Sequence, residues 1–232
     1  MTTELIIRTV ATIVIAYLIG SINPAIFITR FKTSQDIRTM GSGNAGFTNV
    51  LRSVGKGPAI ATIVCDYLKG FIAVLIGWWI FSGLTVTNDV SPTEYVIYGR
   101  YLAGMFVIIG HSFPIFFGFK GGKGVVTANA MMLVVDWRVF LLILGTFLII
   151  FFCTRIISIG SIACAALYPV YTMLITYFLD YLPRLNTPDE LRFRFVWIST
   201  GCALVVGMMI IIRHSENIGR LIRGEEKRIK AK

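Results

Sequence analysis

A glycine-rich, basic stretch at residues 117–127, here called the glycine-lysine loop, is well suited to binding an anion. It has the sequence FGFKGGKGVVT. Two lysines, Lys120 and Lys123, lie among four glycines, Gly118, Gly121, Gly122 and Gly124. Glycines let the main chain turn so that several N–H groups point at one spot, and a lysine and a helix N-terminus beside them suit a phosphate. The alternative is a short basic turn that only sets membrane orientation.

A second polar stretch, residues 41–52, has the sequence GSGNAGFTNVLR. Its glycines would bring the backbone close to a ligand, and Ser42, Asn44 and Asn49 would supply uncharged hydrogen bonds. The guanidinium of Arg52 would pair with a phosphate through two nitrogens. Glycine and asparagine are also the usual turn residues, so the alternative is a turn-rich loop without a ligand.

Two histidines are candidates for proton transfer or substrate orientation. His111 stands at a predicted helix end beside Pro114, where a hydrogen-bonded structural histidine is the alternative. His214 follows Arg213 and lies three residues before Asn217, so the two side chains share one helical face. A histidine there can take or give a proton near neutral pH, whereas the alternative is a side chain at the membrane interface next to Arg213.

Asp66 and Lys69 are two charges three residues apart within a long apolar run, and hence on one helical face. A charge at mid-bilayer costs about 2.5–3.5 kcal/mol on insertion scales, so the pair should face the bundle or the interface. We expect a structural ion pair. Together with His111 and Glu216, it is predicted to stand behind the site and to support the groups that contact substrate.

Several familiar chemistries are excluded. The glycine-lysine loop lacks the Walker A pattern, because Lys123 is followed by Gly124 and not by Ser or Thr. No acidic residue lies five positions after either histidine, since Phe116 and Gly219 stand there. No CxxC pair occurs among the cysteines, Cys65, Cys153, Cys164 and Cys202, so neither a disulfide nor a metal site is indicated.

The elements that position these groups are those of a polytopic membrane protein. The chain has 232 residues, of which 56% are hydrophobic and only 15% charged, and its mean hydropathy is +0.76. Several runs reach the roughly 18–20 apolar residues needed to cross a bilayer. The net charge of +10 fits basic cytoplasmic loops and anionic substrates better than nucleic acid.

The pattern predicts an all-α bundle of about seven transmembrane helices in one domain. The predicted spans are residues 5–28, 58–84, 95–117, 125–135, 137–153, 156–179 and 195–212. The first is a retained span broken at Asn23-Pro24, and residues 31–56 are predicted to be a polar loop. Lys and Arg are dense on one side, which puts the N-terminus outside and the C-terminus in the cytoplasm. If residues 125–153 form a re-entrant hairpin, five crossings remain.

The sequence also predicts two loops between these spans and a tail after the last one. Residues 85–93 and 180–194 are predicted to be loops, and residues 213–232 a basic tail. The tail's cations are predicted to contact anionic lipid; they are Arg220, Arg223, Lys227, Arg228, Lys230 and Lys232.

Four stretches in this order resemble the bacterial acyl-phosphate-dependent glycerol-3-phosphate acyltransferase family, PlsY. They are GSGNAGFTNVLR at 41–52, DYLKG at 66–70, GHSFPIFFGFKGGKGVVT at 110–127 and RHSENIGRLIRGE at 213–225. The departures are modest: Asn23-Pro24 replaces a Pro-Phe, and Phe47 and Val126 replace alanines. The resemblance covers nearly the whole chain.

The resemblance implies an enzyme of the bacterial inner membrane, usually of seven spans, with its site on the cytoplasmic side. It would transfer a fatty acyl group from acyl phosphate to the 1-hydroxyl of glycerol 3-phosphate, the first step of phospholipid synthesis. The products would be lysophosphatidic acid and phosphate. No cofactor, no metal and no obligate protein partner is implied; the partners are the two substrates and membrane lipids.

We assign site residues on this basis. Gly121, Gly122, Lys123 and Gly124 would hold one phosphate, and Lys123 would also offset charge in the transition state. Ser42, Gly43, Asn44 and Arg52 would hold the other substrate, with further phosphate contacts from Asn49, Lys120 and Arg213. His214 and Asn217 would orient the acceptor hydroxyl. The donor phosphate could itself accept the hydroxyl proton, in which case His214 only orients.

Two other classes stay open on the residues alone. An anion transporter also uses broken helices and glycine loops, although no two similar halves with paired interruptions are visible. A lipid-binding scaffold without a reaction is the third class.

Overall fold

The structure is a computed structural model that describes residues 3–84, 90–187 and 191–228. Its helices are α1 (Thr3–Ser21), α2 (Pro24–Thr33), α3 (Phe47–Ser53), α4 (Lys56–Phe81), α5 (Pro92–Ser112), α6 (Val125–Val135), α7 (Trp137–Thr154), α8 (Ile157–Ile175), α9 (Phe193–Arg213) and α10 (Ser215–Ile222). Short 3-10 turns stand at Ile37–Thr39, Ile115–Phe117 and Leu182–Arg184, and a π-helical turn follows α8 at Thr176–Tyr181. The predicted all-α fold is confirmed.

Within the described ranges, six helical stretches are long and apolar enough to cross a membrane. They are Thr3–Thr33, Lys56–Phe81, Pro92–Phe117, Trp137–Thr154, Ile157–Arg184 and Phe193–Arg213. Helix α6 is apolar but has only 11 residues, or about 16 Å at 1.5 Å per residue, roughly half of a bilayer core. The protein is therefore a multi-pass integral membrane protein. The count of seven crossings and the sides of the termini stay predictions.

The chain divides into two compact units, and the first comprises Met1–Gly83 and Val96–Val135. In it α4 packs against α1, α2, α3 and α6. Helices α1 and α5 cross where a side chain on Gly20 would overlap the carbonyl of Val107, so glycine is required for this approach. The predicted break after α1 is confirmed, because Asn23 caps α2 by accepting the N–H of Ile26 at 3.2 Å. Pro24, in the first turn of α2, has no N–H to satisfy.

The prediction of a polar loop over residues 31–56 is wrong in part. Helix α2 continues to Thr33, a 3-10 turn occupies Ile37–Thr39, and α3 and the start of α4 follow. The reason is a small apolar core of Ala25, Ile26, Ile37, Ala45, Val50, Ala59 and Phe117, which the loop's scattered apolar residues help to form. Burying these side chains orders the segment although its composition is polar.

The second unit comprises Leu84–Tyr95 and Asp136–Lys232. In it α8 packs against both α7 and α9, and a side chain at Gly207 of α9 would overlap the carbonyl of Ala165 in α8. The buried Glu94 accepts the N–H of Arg192 at 3.0 Å, which ties the start of α5 to the start of α9.

Two segments of this unit differ from the prediction. The predicted span at 156–179 ends as a π-helical turn, and the predicted tail begins with the amphipathic helix α10. Other predictions lie partly outside the described residues. These are the loops at 85–93 and 180–194 and the lipid contacts of Lys230 and Lys232.

Candidate active site

The glycine-lysine loop connects the end of α5 to the start of α6 in the first unit. The N–H of Gly121 donates to the carbonyl of Ser112 at 3.2 Å, and the N–H of Gly122 donates to the carbonyl of His111 at 3.1 Å. A side chain at Gly122 would overlap the Nε2 atom of His111. Both residues are predicted to hold a phosphate, and in this structure their amides bond to the end of α5. The two glycines allow the loop to lie directly on the end of α5.

The donors that remain for an anion lie at the N-terminus of α6. The first N–H groups of an α-helix have no partner within the helix, and the N–H of Ala128 is the first to bond back, to Gly124 at 2.8 Å. Gly124 has a φ of +78°, which favours glycine and turns the chain into the helix. Lys123 is half-buried beside this turn, whereas Lys120 is exposed. The N-terminus of α6 and the Lys123 side chain thus lie at the same turn, an arrangement of the kind that suits an anion.

A buried group of three side chains lies beneath the loop. Lys69 Nζ is 2.7 Å from Asp66 Oδ1, and His111 Nδ1 is 3.2 Å from the same oxygen and 2.8 Å from Lys69 Nζ. Lys69 Nζ also donates to the carbonyl of Ile22 at 2.9 Å, in the break between α1 and α2. The expected ion pair is present, and His111 joins it. Because all three side chains are buried, their charges are stable only as a paired set.

His111 contacts both members of the ion pair and the glycine-lysine loop. Its Nδ1 lies 2.8 Å from Lys69 Nζ and 3.2 Å from Asp66 Oδ1, and its Nε2 faces Gly122. The imidazole thus connects the ion pair in α4 to the loop that carries Lys123.

Asn49, which the sequence predicts to contact a ligand, organises the 41–49 loop. Its Oδ1 accepts the N–H of Ser42 at 3.0 Å, while its Nδ2 is within 3.1 Å of the carbonyl oxygens of Ile37, Met40 and Asn44. These bonds use the hydrogen-bonding groups of the buried amide. Asn49 therefore holds the loop in shape, with Ser42 exposed at its surface.

The other predicted residues of this stretch are accessible. Gly43 has a φ of +71° and donates its N–H to the carbonyl of Met40 at 2.9 Å. Asn44 is half-buried, and Arg52 is exposed on α3. Their predicted contacts with a ligand stay predictions.

In the second unit, His214 lies at the junction of α9 and α10. Its Nδ1 is 2.7 Å from the carbonyl oxygen of Ile210, one turn earlier. A carbonyl only accepts, so Nδ1 carries the proton and, in the neutral ring, Nε2 carries the lone pair. The ring is buried, which fixes its orientation.

Asn217, also buried, is held by a glutamate that we did not single out from the sequence. Glu226 Oε1 accepts from Asn217 Nδ2 at 2.7 Å and from Ser158 Oγ at 2.9 Å, and Oε2 accepts from Arg220 Nε at 2.7 Å. Burial raises the pKa of the Glu226 carboxyl. Hydrogen bonds from Arg220, Asn217 and Ser158 lower it more, so the pKa lies below its ordinary value. The carboxylate is therefore charged at neutral pH.

Comparison with known proteins identifies the family. The family model described as "Glycerol-3-phosphate acyltransferase" matches residues 10–224. A glycerol-3-phosphate acyltransferase of Prochlorococcus marinus (strain MIT 9215) is 38% identical over 92% of this chain and 94% of its own. One of Rhodospirillum rubrum is 35% identical over 93% and 88%. The chain belongs to the glycerol-3-phosphate acyltransferase family.

Solved structures place it with the PlsY type of this family. A crystal structure of PlsY (YgiH), described as an integral membrane glycerol 3-phosphate acyltransferase, in its glycerol 3-phosphate form, has 32% sequence identity and a TM-score of 0.73. It covers 96% of both chains. The lysophosphatidic acid form has 31% identity and a TM-score of 0.70 over 96% and 95%. The resemblance stated from the four motifs is confirmed.

The structure adds contacts to two further residues of this acyltransferase, whose predicted roles stay predictions. Glu216, predicted to support the site, has 78% of its side chain exposed and lies 3.9 Å from Arg220. Arg220, predicted to contact lipid, is bonded to Glu226. Both positions follow from α10 being a helix, since its one buried residue is Asn217. The signal for Glu226 is the pair Glu225-Glu226, which follows Gly224 directly and precedes a basic stretch.

Proposed function

We propose that this protein transfers a fatty acyl group from acyl phosphate to the 1-hydroxyl of sn-glycerol 3-phosphate, giving lysophosphatidic acid and phosphate. The observation that carries the proposal is the half-buried Lys123 at the N-terminus of α6. Both substrates of this reaction present a phosphate. Membership of the family and similarity to PlsY in its glycerol 3-phosphate and lysophosphatidic acid forms support it.

One phosphate binds where the glycine-lysine loop meets α6. The N-terminal amides of the helix carry partial positive charge, and Lys123 adds a full charge. Arg213 and Lys120 are further candidates for phosphate contact. Lys123 also stabilises charge that builds up on the phosphate and on the reacting carbonyl oxygen in the transition state.

The 41–49 loop and Arg52 hold the second phosphorylated substrate. Ser42 and Asn44 donate or accept uncharged hydrogen bonds, and the exposed Arg52 provides two parallel donors to phosphate oxygens. The buried Asn49 keeps this loop in one conformation. A loop already in shape loses less conformational entropy when the substrate binds.

His214 and Asn217 orient the acceptor hydroxyl. With Nδ1 committed to the carbonyl of Ile210, the lone pair on Nε2 is the group able to accept the hydroxyl proton. The oxygen then attacks the acyl carbonyl, the acyl–phosphate bond breaks, and phosphate departs with the bonding electrons. If the departing phosphate takes the proton, His214 only positions the hydroxyl.

Acyl phosphate is a mixed anhydride and is already activated, so no cofactor is required. Holding both reactants in line supplies a large part of the rate increase. The fatty chain stays in the bilayer while the two phosphates stay in water. We place the site on the cytoplasmic side of a bacterial inner membrane, where the basic loops lie by the positive-inside rule.

A donor comparison tests the proposal. The purified protein is incubated with glycerol 3-phosphate and, in parallel, with palmitoyl phosphate, palmitoyl-CoA or palmitoyl acyl carrier protein. We expect lysophosphatidic acid and phosphate in a one-to-one ratio from acyl phosphate alone, without added metal or sealed vesicles. Product from acyl-CoA but not from acyl phosphate would contradict the donor assignment, and no lipid product from any donor would favour a transporter or scaffold.

A further inference from the structure

The guanidinium of Arg38 connects two segments of the first unit that lie far apart in the sequence. Its Nη1 donates to the carbonyl of Phe117 at 2.7 Å and lies 3.4 Å from the carbonyl of Lys120. Both carbonyls belong to the glycine-lysine loop, 79 and 82 residues further along the chain. Arg38 itself lies in the 3-10 turn Ile37–Thr39, just before the 41–49 loop.

Asp36 fixes the direction of this guanidinium. Its Oδ1 accepts from Arg38 Nε at 3.0 Å and its Oδ2 from Arg38 Nη2 at 2.8 Å, a two-point pair. Oδ1 also accepts the backbone N–H of Arg38 at 3.0 Å, which caps the turn. Two-point pairing orients an arginine as well as binding it. The remaining nitrogen, Nη1, is thereby directed at the loop carbonyls.

The same turn is attached to the 41–49 loop. Asn49 Nδ2 donates to the carbonyls of Ile37 and Met40, the residues on either side of the 38–39 segment, and Asn49 Oδ1 accepts the N–H of Ser42. Hydrogen bonds therefore join the backbone of Ser42 to Asn49 and Asn49 to Ile37, whose neighbour in the chain, Arg38, bonds to the glycine-lysine loop. The loops proposed to hold the two substrates are fixed to one another.

We propose that Arg38 is a positioning residue for acyl transfer, which holds the glycine-lysine loop, and with it Lys123, in register with the 41–49 loop. The inference rests on the proposed function, because the loops matter in this way only if each binds a phosphorylated substrate. Arg38 contacts backbone carbonyls and takes no part in the chemistry. Its loss displaces one binding loop and leaves the reacting groups intact.

The charge state of the pair supports a permanent connection. Hydrogen bonds from Arg38 are the main cause that lowers the pKa of the Asp36 carboxyl, against the opposing effect of burial, and Arg30 lowers it further. The same pairing raises the pKa of Arg38. Both groups thus stay charged throughout the pH range of an enzyme assay.

The test is a KM-against-kcat comparison on Arg38→Lys, which keeps the charge but loses the two-point geometry. We expect the KM for one of the two phosphorylated substrates to rise at least tenfold. The KM for the other should stay within twofold. The value of kcat should fall as well, because Lys123 moves with its loop and stabilises charge in the transition state. Unchanged KM values, an equal rise in both, or a fall in kcat alone would overturn the proposal.

Two companion variants make the result specific. Asp36→Asn removes the carboxylate that directs Arg38 and should raise the same KM, which keeps the test available if Arg38→Lys folds poorly. Arg30→Lys is the matched control, because Arg30 also pairs with Asp36, at 2.7 Å, but meets the glycine-lysine loop at the ring of Phe117, 6.0 Å from its centroid, and not at a backbone carbonyl. Both KM values of Arg30→Lys should lie within twofold of wild type. A rise in KM equal to that of Arg38→Lys would contradict the role of Arg38.

Wild-type protein, assayed in parallel, distinguishes failure of the Arg38 proposal from failure of the proposed function. Wild-type protein that turns over acyl phosphate while Arg38→Lys is unchanged contradicts this inference alone. Wild-type protein that forms no lysophosphatidic acid contradicts the proposed function and, with it, the inference.

Discussion

His214 Nδ1 lies 2.7 Å from the carbonyl oxygen of Ile210, one helical turn earlier in α9. The bond assigns the proton of a neutral imidazole to Nδ1 and the lone pair to Nε2. A buried ring held in this way is preorganised to accept a proton or a hydroxyl hydrogen bond.

Replacing His214 by alanine should lower kcat/KM at least tenfold, equivalent to about 1.4 kcal/mol of transition-state stabilisation. The reason is the loss of the acceptor for the glycerol hydroxyl. Initial rates measured from pH 6 to pH 9 check this. Full activity of the variant across that range would remove the proton-transfer role and leave the donor phosphate as the proton acceptor.

Ser42→Ala should also lower kcat/KM at least tenfold, again about 1.4 kcal/mol, without changing the melting temperature. Ser42 is exposed, and the bond that fixes it to Asn49 comes from its backbone N–H, which alanine keeps. Steady-state kinetics and a thermal melt of the same preparation measure the two effects. A variant that loses stability but keeps its rate would show that the hydroxyl is structural.

The Asp66–Lys69 pair should matter more for folding than for catalysis. Lys69→Met alone leaves Asp66 buried without its cation, a situation that costs about 3–5 kcal/mol in buried pairs. The double variant Asp66→Asn, Lys69→Met should recover part of that stability and retain measurable turnover. Chemical denaturation in detergent, followed by fluorescence, gives the comparison. A stable but inactive double variant would contradict the structural role.

Glu226→Gln should remove a pH-dependent part of the stability. A carboxyl with a lowered folded pKa stabilises the protein fully above its ordinary pKa, 4.5 for this group, and loses this contribution as the pH falls through the folded pKa. The variant should therefore melt below wild type at pH 7, and the difference should shrink as the pH falls below about 4.5.

Glu225→Gln is the control for Glu226, because its side chain is 57% exposed and pairs with the exposed Arg223. The melting temperature of Glu225→Gln should equal that of wild type at every pH. A difference between wild type and Glu226→Gln that stays constant with pH would show that the carboxylate charge is not what stabilises this cluster.

Local signals in the sequence predicted much of the fold and part of the site. Asn23-Pro24 marked the break after α1 because a proline cannot donate in mid-helix, and the spacing of Asp66 and Lys69 placed both on one face of α4. The glycines and lysines of residues 117–127 marked a turn into a helix. Each of these inferences depends on residues a few positions apart.

The contacts that the sequence does not predict are those made after the chain folds back on itself. The amide of Asn49, for which the sequence predicts a ligand, bonds to the carbonyls of Ile37, Met40 and Asn44. Gly121 and Gly122 are small because the end of α5 lies against them, 10 and 11 residues away. Glu226 meets Ser158 from 68 residues away, and no periodicity within the tail announces that contact.

The proposed acyl transfer depends most on Lys123, which is proposed to bind one phosphate and to stabilise charge in the transition state. The most direct test is the rate at which purified Lys123→Ala forms lysophosphatidic acid. Loss of a transition-state charge partner predicts a fall of at least about 100-fold, with an elution profile and melting temperature like those of wild type. Lys56→Ala, an exposed lysine at the start of α4, should keep the wild-type rate. Equal rates for Lys123→Ala and wild type would contradict the account.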